Sequence, residues 1–121
     1  MDASHLDRGI AAHARWKYRL FDAVNTGKSE WTVQGIRSYE TCEFGRWLAS
    51  LPPAESSSEH CKKVAELHAE FHKAAAEVLE IALSGRKAEG EAAISLGSRF
   101  SLVSSELTMA VSAWKEVTGG S

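Results

Sequence analysis

The chain contains only two prolines, adjacent at Pro52 and Pro53, and apolar residues recur at helical spacing on both sides of them. Proline has no backbone N–H and its ring clashes with the preceding helical turn, so the pair ends any helix that reaches it. No stretch shows the strict apolar–polar alternation of a half-buried strand. The sequence therefore predicts an all-α protein that Pro52-Pro53 divides into two helical halves.

Start and stop residues predict two helices before the prolines. The first covers residues 4–25, and Gly27 lies just beyond its end. Residues 28–37 are less regular and predict a turn or a loop that folds over the bundle. Ser38 is the predicted cap of a second helix of about a dozen residues. That helix carries Cys42 near its first turn.

Two further helices are predicted after the prolines. Ser56 and Glu59 have the spacing of a capping box, which opens a third helix ending at Ser84-Gly85. The fourth covers residues 88–117, and its predicted core stripe is Leu96, Phe100, Val103, Leu107, Val111 and Trp114. Long amphipathic helices with short connections favour an antiparallel four-helix bundle, with a short extra helix or loop carrying Cys42.

Composition limits the classes of protein that this chain can be. Its 121 residues predict one domain, 1–121. A formal net charge of −2 argues against binding to nucleic acid or to anionic lipid. No apolar run approaches the ~18 residues of a membrane-spanning helix.

Two features predict a cytoplasmic protein. Residues 1–5 are polar and lack the apolar core of a signal peptide. Cys42 and Cys61 are too few for a disulfide framework. In the cytoplasm both thiols stay reduced, and a reduced cysteine is free to bind metal.

Three histidines and Cys42 form the candidate metal site. His68 and His72 are one helical turn apart, so both lie on one face of the third helix. His13 lies on the apolar stripe of the first helix, whose other members are Leu6, Ile10, Trp16, Leu20 and Val24. Buried imidazoles need partners, and one zinc ion would satisfy all three. With the Cys42 thiolate, they supply the four ligands of a tetrahedral zinc site.

Simpler readings of the same residues stay open. A histidine on an apolar stripe can be a core residue with a local hydrogen bond, and a free cysteine packs as a small hydrophobe. Cys61 is about 10 Å from His68 along the third helix, too far to share an ion, and is predicted to be structural. We expect His5 and His60 at the surface. Glu70 is one position away from the zinc-protease helix motif and should point away from the metal.

Three segments of the chain are distinctive: Ala12-His13 with Trp16, Ser38-Tyr39 with Cys42 through Leu48, and Leu67-His68 with Phe71-His72. Together they resemble the chemoreceptor zinc-binding family. The resemblance extends from the first helix to the end of the third. It implies a zinc site with ligands at His13, Cys42, His68 and His72.

The resemblance also implies a role in bacterial signal transduction. Relatives of this type are attached to cytoplasmic chemoreceptors or to diguanylate cyclases, which points to chemotaxis or to cyclic di-GMP as the output. Trp16 and Ser38-Tyr39 are most similar to the cyclase-linked type. The chain itself contains no cyclase motif and no long coiled coil, so we expect either an excised sensory domain or a stand-alone copy. The effector then lies in cis or in trans.

The expected function is a zinc-binding sensor whose metal occupancy or cysteine oxidation controls this effector, without catalytic residues of its own. A homodimer is expected because the effectors act as dimers, and because Trp31, Trp47 and Trp114 exceed what a small bundle readily hides. One alternative is a purely structural zinc in a helical dimerisation domain. Another is an enzyme with three histidine ligands and a zinc-bound water. A di-iron bundle is disfavoured, because the chain lacks the paired Glu and Glu-x-x-His ligands that such a site needs.

Overall fold

The computed structural model describes residues 4–38 and 42–119, and within these ranges the regular structure is helical, without strands. The predicted all-α class is confirmed. The helices are α1 (Ser4–Thr26), α2 (Val33–Arg37), α3 (Glu43–Ser50), α4 (Pro53–Ser56), α5 (Glu59–Leu83), α6 (Lys87–Ala93) and α7 (Arg99–Gly119). None of these described helices is both long enough and apolar enough to cross a membrane.

Helix α5 is the central element, because α1, α2, α3, α6 and α7 all pack against it. Its buried residues extend from Cys61 to Ala82 and include small alanines that let α7 approach closely. The largest fully buried side chains of the protein are Phe71, Leu6, Leu20, Leu79, His68, Val64 and Val111. One core therefore joins the three long helices. The antiparallel order of a four-helix bundle stays a prediction.

The start of α5 differs from its prediction. Ser58, not Ser56, is the N-cap, and its hydroxyl accepts the backbone N–H of Cys61 at 3.1 Å. Ser56 instead ends α4, which begins at Pro53. Proline at the first helical position is pre-organised for a new turn, so the pair starts one extra turn before the long helix begins. The prediction missed that turn.

The region before Cys42 also differs from its prediction. Ser38 follows the end of α2, with its N–H donating to the carbonyl of Gln34, and does not cap the cysteine helix. Cys42 itself is the N-cap of α3, which has eight residues. The predicted loop over residues 28–37 contains α2, capped by the Thr32 hydroxyl at 2.9 Å from the N–H of Gly35. Tyr39, which belongs to the resemblance, lies outside the described residues.

The predicted fourth helix is interrupted between α6 and α7. Gly97 has φ +88°, a left-handed conformation that glycine adopts without strain. Ser98 then caps α7 by accepting the N–H of Ser101 at 3.2 Å. Leu96 is 94% exposed in this break, so its assignment to the core was wrong. The other five residues of the predicted stripe are buried.

Candidate metal centre

Four side chains from three parts of the chain converge at one site near the middle of α5. They are His13 from α1, Cys42 from the N-cap of α3, and His68 and His72 from α5. One potential ligand atom from each lies within 4.8 Å of those of the other three, and no second group of this kind occurs among residues 4–38 and 42–119. The three histidines are buried, and Cys42 is half-buried. We call these residues the His₃Cys cluster.

Two of the six separations between the potential ligand atoms lie near those of a small tetrahedral ion. The Nε2 atoms of His68 and His72 are 3.1 Å apart, and Sγ of Cys42 is 3.9 Å from Nε2 of His13. Zinc bonds of about 2.1 Å to nitrogen and about 2.3 Å to sulfur correspond to edges of about 3.4 Å (N–N) and about 3.6 Å (S–N) in a tetrahedron. Both measured distances are within a few tenths of an ångström of these values.

The tautomer of His13 is determined by its backbone partner. Its Nδ1 lies 2.7 Å from the carbonyl oxygen of Gly9, one turn earlier in α1. A carbonyl can only accept, so Nδ1 carries the proton and donates it. The proton-free Nε2 is left to face Cys42. Fixing the ring through its second nitrogen is the usual outer-shell arrangement of a metal-bound histidine.

His72 is held in the same way by a different element. Its Nδ1 donates to the carbonyl oxygen of Ile36 at 2.8 Å. Ile36 lies in the last turn of α2, where carbonyls have no partner within the helix. The contact therefore satisfies a helix end and ties α2 to the cluster. It also leaves the Nε2 lone pair of His72 directed at Nε2 of His68.

The short distance between Nε2 of His68 and Nε2 of His72 requires a hydrogen atom or a cation between the two nitrogens. Two lone pairs at 3.1 Å would repel, so Nε2 of His68 carries a proton in the metal-free protein. A bound cation can take the place of that proton. This arrangement shows that the residues present suit a metal ion.

Burial keeps the three imidazoles neutral. Desolvation lowers the pKa of His13 to about 4, although its hydrogen bond to Gly9 raises it in part. The pKa of His68 is lowered by burial and then by the proximity of His13 and His72. Burial likewise lowers the pKa of His72. Near neutral pH all three rings are therefore uncharged, which is the form that coordinates metal.

Two phenylalanines enclose the cluster. The Phe44 ring centroid lies 5.6 Å from that of His13 and 5.3 Å from that of His68. Phe71 packs edge-on against His13 at 5.0 Å on another side. A Cβ added at Gly9 would come within 2.6 Å of the Phe44 ring, so this glycine allows α3 to approach α1. These two rings lower the local dielectric around the histidines.

The remaining candidate residues lie outside the cluster. Cys61 is buried, as expected of a structural cysteine, and burial raises the pKa of its thiol. Glu70 and His60 are exposed, in agreement with their predictions. His5 is half-buried instead of lying free at the surface, because its ring stacks on Trp47 at 5.0 Å.

The sequence matches the model of the chemoreceptor zinc-binding domain over residues 13–79. The match begins at the first cluster histidine and includes all four cluster residues. The chain belongs to this family. No curated protein and no solved structure is significantly similar to it. Helix α7 lies beyond the matched residues, in agreement with the extent of the resemblance seen in the sequence.

Several residues of the centre were not predicted. Gly9 and Ile36 supply backbone carbonyls, and Phe44 and Phe71 supply the walls. Gly9 could have been found, because it lies one turn before His13 on the same helix face. Ile36 could not, since its contact with His72 spans 36 residues and depends on how α2 packs.

Proposed function

We propose that His13, Cys42, His68 and His72 bind one zinc ion, and that the chain is a zinc-binding regulatory domain. The observation that carries the proposal is the convergence of four ligand atoms within 4.8 Å. The hydrogen bonds of His13 and His72 support it, because they direct proton-free nitrogens into the cluster. When bound, zinc supplies a crosslink between α1, α3 and α5.

A site with four protein ligands is closed. It has no open position for a water molecule or a substrate, which favours regulation or structure over catalysis. The competing proposal, an enzyme with three histidine ligands, requires that Cys42 does not bind the metal. Its Sγ lies 3.9 Å from His13 Nε2, near the edge length of a shared coordination sphere, which argues against that arrangement.

The regulated element in this proposal is α3. Cys42 is the N-cap of α3, and Trp47 in the middle of the helix packs against Trp114 of α7 at 5.8 Å between ring centroids. If the cysteine is released, α3 can shift relative to α1 and α5, and α7 receives the change through the tryptophan contact. A two-state shift of this kind biases whatever effector is attached or bound.

Two signals can release Cys42 in this scheme. Zinc can be withdrawn by a competing chelator, or a peroxide can oxidise the thiolate to a sulfenic acid, a poorer ligand, while the peroxide is reduced to hydroxide. Following the family resemblance, the proposed effector is a diguanylate cyclase or a chemoreceptor in the cytoplasm. Cyclic di-GMP synthesis or chemotaxis would then be the output.

Homodimer formation belongs to the same proposal. The tryptophans favour a homodimer less strongly than the sequence suggested, because Trp114 is buried and Trp47 is half-buried. Its support now comes from Tyr18 and Phe21, which lie one turn apart on α1 and are 75% and 57% exposed. A second copy could cover this aromatic pair.

The test is metal analysis of the purified protein beside its four single-ligand alanine variants, with Cys61→Ala as the matched control. We expect one zinc per chain in the native protein and in Cys61→Ala, and substoichiometric zinc in the four variants. Circular dichroism with and without a strong chelator separates a switch from a scaffold. A nearly intact helical spectrum supports the switch, and loss of helix supports a purely structural zinc.

A further inference from the structure

Two surface grooves lead to the His₃Cys cluster from different sides. The first, the Trp groove, has a volume of about 410 Å³ and is lined by Trp16, Glu30, Trp31, Cys42 and His72 among others. Its lining changes from exposed Glu30 and Trp31, through half-buried Trp16 and Cys42, to buried His72. The groove therefore runs from solvent to two of the four candidate ligands.

The second groove, the Lys groove, lies between α3 and α5 and has a volume of about 270 Å³. Its lining includes Leu48, Ala49, Cys61, Lys62, Ala65 and His68. Most of these side chains are apolar, and the only charged one lining it within the described chain is Lys62. It reaches one candidate ligand, His68.

The two routes differ in the groups that a divalent cation meets. A dication entering the Trp groove meets the Glu30 carboxylate, which offsets the nearby positive charge of Arg19 stacked on Trp16 and Trp31, and then a sulfur and a nitrogen ligand. A dication entering the Lys groove meets the ammonium group of Lys62, which repels it, and an apolar wall, which offers no group to replace its bound water. We propose that zinc enters and leaves the cluster through the Trp groove, with Glu30 as its first contact. The proposal rests on the zinc function proposed above.

The width of the Trp groove is set by a stacked arginine. The guanidinium carbon of Arg19 lies 4.8 Å from the Trp16 ring centroid and 4.4 Å from that of Trp31. The two indole rings are 5.3 Å apart, edge to face. Such cation–π contacts hold the Trp31 wall in place. Loss of that wall opens the route and leaves the four ligand side chains unchanged.

Two substitutions follow from this placement. Glu30→Gln removes the attracting charge at the mouth and should slow zinc uptake by about three- to tenfold at low salt, with the effect fading as salt is raised. Trp31→Ala widens the groove and should speed uptake and release together, by about tenfold. Because both directions change in parallel, the equilibrium zinc affinity of Trp31→Ala should change much less than its rates.

The controls lie on other surfaces. Ala65→Trp fills the Lys groove, and Lys62→Gln removes its charge. Leu102→Ala removes an exposed apolar residue from α7 outside both grooves. None of the three should alter the rates of zinc exchange. Each variant is first compared with the native protein by circular dichroism.

The experiment measures zinc uptake by the metal-free protein and zinc release to a chromophoric chelator, both by stopped flow, together with the equilibrium zinc affinity. Slower uptake in Glu30→Gln and faster exchange in Trp31→Ala, with unchanged controls, supports the Trp groove. Altered rates in Ala65→Trp and native rates in Glu30→Gln overturn it. If Trp31→Ala fails to fold, Glu30→Gln and Ala65→Trp still decide. If the native protein binds zinc but Glu30→Gln and Trp31→Ala exchange it at native rates, the entry route is wrong and the proposed function stands. If the native protein binds no zinc, the route and the proposed function are both wrong.

Discussion

The middle and the C-terminal part of α5 are stabilised by different means. Around His68 and His72, near the middle of α5, its neighbours include α1 and two short helices, α2 with five residues and α3 with eight. Helices as short as α2 and α3 are unstable in water by themselves, so they depend on tertiary contacts. Around Leu79 the same helix buries small aliphatic residues, which include Ala75, Ala76, Val78 and Ala82. The middle presents polar side chains that could bind a metal, and the C-terminal part relies on apolar burial.

This difference indicates which part of the molecule can respond to a metal. If the cluster binds zinc as proposed, removing the ion would leave the aliphatic contacts of α5 and α7 in place, and that part of the core would keep its stability. At the cluster, α3 would retain Phe44 and Leu48 in the core but lose the attachment of Cys42. A domain with one self-sufficient part and one metal-dependent part can change locally without unfolding.

The largest expected effect comes from removing a ligand. Cys42→Ala should weaken zinc binding by more than about a hundredfold, since even outer-shell changes cost about 10- to 100-fold. It should barely alter the stability of the metal-free protein, because Cys42 is half-buried. Competition titration against a chelator of known affinity measures the first quantity, and urea unfolding measures the second. Equal zinc affinity in Cys42→Ala and Cys61→Ala would contradict the assignment.

In the C-terminal part of α5, Leu79→Ala should have the opposite effects. Leu79 is 1% exposed, and truncating a buried leucine typically costs about 2–5 kcal/mol of unfolding free energy. We expect this loss in the metal-free and in the zinc-loaded protein alike, with unchanged zinc affinity of the folded state. Urea unfolding of both forms checks it. A loss confined to the zinc-loaded form would show that the two parts of α5 are not independent.

The pH dependence of the metal-free protein should come from the cluster. Unfolded histidines titrate near pH 6.5, whereas burial lowers the pKa of His13 to about 4 in the fold and lowers those of His68 and His72 as well. Between these pKa values the unfolded chain binds more protons, so unfolding free energy increases with pH. The stabilisation is complete above about pH 6.5 and is lost as pH falls through the folded pKa values.

The slope can reach about 1.4 kcal/mol per pH unit for each histidine that titrates. Urea unfolding of the metal-free protein at several pH values measures it. His13→Gln should reduce the slope, and Leu79→Ala should shift the whole curve without changing the slope. A flat profile between about pH 4 and 6.5 would show that the histidines are not buried as neutral rings.

The smallest effect compares two tightly packed glycines. Gly9→Ala would place a Cβ 2.6 Å from the Phe44 ring at the cluster, and Gly90→Ala would place one 2.9 Å from Val24 at the other end of α1. Overpacking destabilises a fold by about 1–3 kcal/mol, and the higher helix propensity of alanine offsets about 1 kcal/mol of this. Both should therefore lose about 0–2 kcal/mol of unfolding free energy.

Zinc affinity should separate the two glycine variants. Gly9→Ala displaces α3 from α1 and disturbs the acceptor of His13, so we expect about a tenfold loss. Gly90→Ala should bind zinc as the native protein does. Equal affinities in a competition titration would mean that the spacing of α1 and α3 does not govern the site.

The sequence predicted the long helices and the three cluster histidines because they follow from local periodicity, whereas Cys42 was predicted from its place near a helix start and from the family resemblance. The stripe of α1 and the pair His68–His72 depend only on helical spacing. Short elements were predicted less well, since α2 and the separate caps at Cys42 and Ser58 depend on how the chain turns between long helices. The break at Gly97 was missed because Leu96 fits the apolar period, although in the fold it faces solvent.

The centre shows the same division. The four proposed ligands could be named from residue identity, spacing and the family resemblance. The carbonyl of Ile36 and the ring of Phe44 were not, because tertiary packing brings them to the histidines. Sequence reasoning therefore identified the groups that can bind a metal but not the groups that orient them.

Titration of the metal-free protein with Co²⁺, followed by absorption, tests the central claim most directly. We predict an endpoint at one equivalent, the visible bands of tetrahedral cobalt, and a strong sulfur-to-metal charge-transfer band that Cys42→Ala abolishes and Cys61→Ala keeps. A spectrum without the charge-transfer band, or one unchanged in Cys42→Ala, would contradict a single ion bound by three histidines and this cysteine.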